Sequence, residues 1–76
     1  MKKIYEVHEV EDITSGEPRY CGTTTNYRDA KADYDAICTE GEFARLLEVD
    51  KDGMPIRELE CNYTQDDIDE VLRRNW

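Results

Sequence analysis

Two stretches of this 76-residue chain each read as an apolar run, a turn and a second apolar run, and each is followed by the start of a helix. That doubled pattern limits the possible folds more than any other feature. The stronger turn is Asp50-Lys51-Asp52-Gly53, which separates Phe43, Leu46, Leu47 and Val49 from Ile56, Leu59 and Cys61. An Asp-Gly pair between apolar runs supplies the residues a tight hairpin needs. Strands are therefore predicted over 42–49 and 54–63. Pro55 has no N–H to give to a ladder, so the last strand is expected to begin at a sheet edge.

The first hairpin is less regular. Over 4–13, Ile4, Tyr5, Val7, Val10 and Ile13 are interleaved with Glu6, His8, Glu9, Glu11 and Asp12. Tyr5 and Val7 share one parity while Ile4 and Val10 share the other, which calls for a bulge or for burial on both faces. Thr14-Ser15-Gly16-Glu17-Pro18 is a turn by composition, and a second strand rich in Tyr and Thr follows over 19–25.

Each hairpin leads into a helix. Asn26 is placed to cap the first, with Asp29 suiting the positive helix start. Tyr27, Ala30, Tyr34, Ile37 and Cys38 recur on one helical face, and Gly41 is the expected stop. The second helix carries a capping box, Thr64 with Asp67, and a Tyr63–Ile68 staple around it. Ile68, Val71, Leu72 and Trp76 share its apolar face. Acids lead and Arg73 and Arg74 close, as the helix dipole favours, and Asp69/Arg73 and Glu70/Arg74 are in the favourable i, i+4 order. The predicted fold is α+β, one domain over 1–76 in the order ββαββα. Its four-stranded antiparallel sheet has two helices packed mainly on one face. So small a core gains from self-association, and a homodimer through the open sheet face or an edge strand is expected to help.

Nineteen Asp and Glu stand against ten Lys and Arg, a formal net charge of −9. Charged and hydrophobic residues each make up 38%, a balance near that of disordered chains, but the helix and strand periods argue for a fold. No apolar run approaches the roughly 18–20 residues of a membrane span. The Met1-Lys2-Lys3-Ile4 start lacks the apolar stretch of a signal peptide. Direct binding to nucleic acid or anionic lipid is disfavoured by charge. Cys21, Cys38 and Cys61 are odd in number and form no C-x-x-C pair, and His8 is the sole histidine. That composition predicts neither a disulfide scaffold nor zinc nor another cofactor, and it suits a reducing cytoplasm.

Catalytic chemistry is nearly absent from the pattern. Glu48-x-Asp50-x-Asp52-Gly53 imitates the start of an EF-hand loop, but its closing acid falls on Leu59 and its flanks are strands. His8 beside Glu6 or Glu9 is a conceivable general base, and Glu58/Glu60 and Glu9/Glu11 are same-parity carboxylates. No nucleophile arrangement or Gly-rich phosphate loop accompanies them, so a non-enzymatic protein is expected.

Charge placement is the feature above background. At about 100° per residue, Asp29, Asp33 and Glu40 fall together about 110° from the apolar centre of the first helix. Asp29 and Asp33 are like charges at i, i+4, roughly 6 Å apart, a spacing that costs a few tenths of a kcal/mol. A second acidic patch is expected from Glu6, Glu9, Glu11 and Asp12, partly offset by Arg19. Two explanations compete. In the first, acidity serves solubility alone in a small structural or housekeeping homodimer. The sharper reading is that both patches bind a basic protein surface, one built to hold DNA or RNA.

Ile4-Tyr5-Glu6-Val7 entering a Ser15-Gly16-Glu17 turn, a helix bearing Tyr and Ala, and then the run from Leu46 through Gly53 together resemble small acidic orphan proteins of bacteriophages and bacterial mobile elements. In size, charge and strand-helix make-up the chain is similar to several anti-CRISPR proteins. The resemblance implies an inhibitor or accessory factor that acts by protein–protein contact in a bacterial cytoplasm.

Overall fold

The structure is a computed structural model and describes residues 2–74. Its elements are β1 (Ile4–Val10), β2 (Pro18–Thr24), α1 (Tyr27–Thr39), β3 (Phe43–Val49), β4 (Pro55–Cys61) and α2 (Gln65–Arg74). The strands form one antiparallel sheet in the order β2-β1-β3-β4, so the order ββαββα and the α+β class are as expected. β2 and β3 both run antiparallel to β1 and hence parallel to each other. The link between them must therefore cross the sheet, and α1 makes that crossing.

The mixed parity of β1 reflects its central position. Val7 pairs with Leu46 and lies in the cluster formed with Ala30, Tyr34, Ile37 and Ala44, facing α1. Val10 is 0% exposed and belongs to the other face, where Leu47 and Val49 are also buried. A register shift against β2 between Glu9 and Val10 adds the bulge as well. Ile13, expected in the strand, lies in the following loop and is buried there.

Local chemistry sets the element ends. The Asn26 side chain accepts from the N–H groups of Arg28 and Asp29, 2.9 and 3.4 Å away. Gly41, at φ +83°, lets its N–H reach Cys38 O and that of Glu42 reach Ile37 O, closing a Schellman motif. In the β3–β4 turn, Asp50 Oδ1 accepts from the N–H groups of Asp52 and Met54, each at 2.9 Å, so this acid is already engaged by the hairpin. Past β4, Asn62 continues the ladder with its side chain. It accepts from Ala44 N–H and donates to Glu42 O, both at 2.8 Å.

One expectation about packing is corrected. α1 lies against β1, β2 and β3, but α2 contacts neither α1 nor any strand among the described residues. Its capping box does form: Thr64 N donates to Asp67 Oδ2 at 2.8 Å and Asp67 N to Thr64 Oγ1 at 3.3 Å. Yet no residue of α2 is buried. Only Asn62, Tyr63 and Thr64 separate β4 from α2, and Asn62 and Tyr63 are tied to β3, so the helix starts at the sheet end and continues away from it. The molecule is accordingly elongated, 46 × 25 × 18 Å. Its radius of gyration of 13.0 Å exceeds the roughly 11 Å of a compact chain this long. Trp76, expected on the apolar face of α2, lies outside the described residues.

Candidate functional site

The seven acids singled out by the sequence separate into two groups. Asp29, Asp33 and Glu40 are exposed, and none makes an ion pair among the described residues. The opposite flank of α1 differs. There Lys31 Nζ lies 2.6 Å from Glu60 Oε2 on β4 and 3.1 Å from Asp35, and both carboxylates push its pKa up. The acidic flank is thus the side of α1 turned away from β4.

The acids of the first strand do not form the expected patch. Glu6 and Glu9 point to opposite faces of the sheet, because residues three apart in a strand differ in parity. Glu9 is ion-paired with Arg19, which also lies 3.8 Å from Glu42. The Asp12 carboxylate accepts from Thr14 N at 2.9 Å and Thr14 Oγ1 at 2.6 Å, bonds that lower its pKa and shape the loop. Glu11 alone of the four is exposed without such a role among the described residues.

Glu6 belongs instead to a polar network on the face away from α1. Its Oε1 accepts from His8 Nε2 at 2.7 Å and from the Cys21 thiol at 3.3 Å. His8 is 8% exposed. Arg45 Nε donates to His8 Nδ1 at 2.9 Å, and Arg45 Nη2 donates to Gly16 O at 2.8 Å, fastening the β1–β2 loop. Since Arg45 is a donor only, Nδ1 must accept and the ring proton sits on Nε2, directed at Glu6. Both ring nitrogens are thereby committed. The His8 bond is the largest influence holding Glu6 below the usual carboxylate range. Partial burial, with the Glu6 carboxylate second, pushes the Cys21 thiol up to about 11, so little of it is thiolate at neutral pH.

Glu6, His8 and Cys21 bring three potential metal-ligand atoms within 4.8 Å of one another, the one such group among the described residues. Sequence spacing concealed it, because Cys21 meets His8 only through the β1–β2 register. Its chemistry does not suit a metal. A ligating His8 Nε2 would have to give up its proton, and Nδ1 faces a guanidinium where metal-bound histidines present an N–H to an acceptor. The network reads as a pin joining β1, β2, β3 and the loop.

Comparison of the chain with protein-family models, curated proteins and solved structures returns no significant match.

Proposed function

We propose that this protein is a non-enzymatic binding module whose acidic α1 flank docks on a basic surface of another protein. The supporting observation is the contrast among its carboxylates. Glu6, Glu9, Asp12, Asp50 and Asp67 bond to side chains or backbone nearby, whereas Asp29 and Asp33 on α1 and Glu40 at its C-cap are exposed and unpaired among the described residues. A stripe of like charge that weakens its own helix is favourable once a cationic surface meets it. A groove that holds nucleic acid has the matching charge, so the reading extends to an inhibitor of phage or mobile-element type that occupies such a groove. The free thiols of Cys21, Cys38 and Cys61 fit a reducing cytoplasm.

The test starts with capture of partners from bacterial lysate at low salt, followed by calorimetry on the purified pair. The Asp29→Lys/Asp33→Lys/Glu40→Lys variant is expected to lose about tenfold or more in affinity with its circular dichroism unchanged. Unaltered affinity in that variant overturns the α1 reading.

A further inference from the structure

α2 has the most complete capping and charge pattern of any element, yet it is the least packed. Isolated helices shorter than about 12–15 residues are marginal in water, and α2 has 10 residues. Ile68, Val71 and Leu72 share one face, on which Ile68 and Val71 are half-buried and Leu72 is 45% exposed. A short helix with a partly open apolar face is stabilised by whatever completes its cover.

We propose that the cover is a second copy of this chain, the two α2 helices pairing antiparallel about a twofold axis near Val71. Charge selects this occupant. At about 100° per residue, Asp67 and Arg74 flank the apolar face on one side, and Asp69 and Arg73 on the other. A twofold axis normal to the plane of the helix pair keeps each flank against the same flank of its copy while reversing chain direction. Ile68 then meets Leu72 of the partner subunit and Val71 meets its own copy. Asp69 faces Arg73 of the partner subunit, and Asp67 faces Arg74 of the partner subunit. A parallel pair would set like charges opposite one another on both flanks.

Within one chain Asp67 is taken up by the Thr64 cap, so the charges left over for a partner are those of the Asp69/Arg73 flank. Arg74 binds Glu70 at 2.8 Å, but Asp69 accepts from Gln65 Nε2 at 3.1 Å instead of pairing with Arg73, contrary to its i, i+4 spacing. Arg73 makes no ion pair among the described residues. A foreign surface would need acid and base in this same order on both flanks, and a second copy presents them by symmetry. The contact is small beside typical specific interfaces, so self-association is expected to depend on concentration. The pairing is independent of the acidic α1 flank, and the triple reversal there should leave it intact.

Sedimentation equilibrium of the full chain tests this. The wild type should show a monomer–dimer equilibrium, and Val71→Asp should raise the dissociation constant about tenfold or more with the near-ultraviolet circular dichroism unchanged. Asp69→Lys and Arg73→Glu should each weaken self-association roughly three- to tenfold. Mixing these two variants in equal amounts should restore association, because each then supplies the charge the other lacks. A wild type monomeric up to about 1 mM overturns the proposal. So does a dimer indifferent to Val71→Asp, or a mixture no tighter than its components.

Discussion

Arg45 shows how much one side chain can organise in a domain of this size. Its guanidinium gives N–H bonds to His8 and to Gly16 O, joining β1, β3 and the loop between β1 and β2. Arg45→Leu removes both donors and leaves a largely buried imidazole nitrogen without a partner. The expected loss is about 1–3 kcal/mol in urea unfolding. Arg73→Ala, on an exposed helix end, should stay within about 0.5 kcal/mol of wild type. Glu6 carries a pH signature. Bonding from His8 holds its folded pKa below the ordinary value of 4.5. The folded state therefore binds this proton more weakly than the unfolded chain does. The resulting stability is present above the unfolded pKa and is lost as pH falls through the folded one. Glu6→Gln should flatten the loss of stability between about pH 5 and pH 3 relative to wild type, read from midpoints of urea unfolding.

At the scale of elements, the helix ends carry separable contributions. Gly41 occupies a positive φ that lets two amides return to the last turn of α1. Gly41→Ala puts a Cβ into that left-handed conformation and should destabilise the fold by about 1 kcal/mol, although no heavy atom lies within 4 Å of the added carbon. The penalty is conformational, so thermal unfolding should move while near-ultraviolet circular dichroism does not. The elements also show where local reasoning stops. Tyr27 begins the apolar periodicity of α1, yet it is 44% exposed and meets the sheet through an edge-on contact with Tyr5, ring centroids 5.5 Å apart. The Asp50–Gly53 hairpin, the Asn26 cap and the Thr64–Asp67 box were legible because their donors and acceptors lie within four residues of one another. Glu6, Glu9, Glu11 and Asp12 looked like a patch because linear proximity does not reveal which sheet face, or which cross-strand cation, each acid meets.

For the whole molecule, a net charge of −9 on 76 residues favours the unfolded chain through self-repulsion. The internal pairs, including Lys31–Glu60 and Arg57–Glu48, offset only part of it. Raising NaCl from about 10 mM to about 200 mM should therefore raise the melting temperature, since the Debye length falls from about 30 Å to below 10 Å. A fall would mean that the surface ion pairs outweigh the general repulsion.

The sequence by itself determined the order of elements, the turns and caps that bound them, and the excess of acid. Each depends on interactions between residues close along the chain or on a simple sum. Tertiary structure decided the strand order β2-β1-β3-β4, the junction of His8 with Arg45, and the separation of engaged carboxylates from exposed ones. It also decided that α1 reaches the sheet and α2 does not. An apolar face records that burial is favourable, but the surface that buries it is set by pairing register and by the reach of a three-residue link. Those are properties of the assembled sheet, and no single segment contains them.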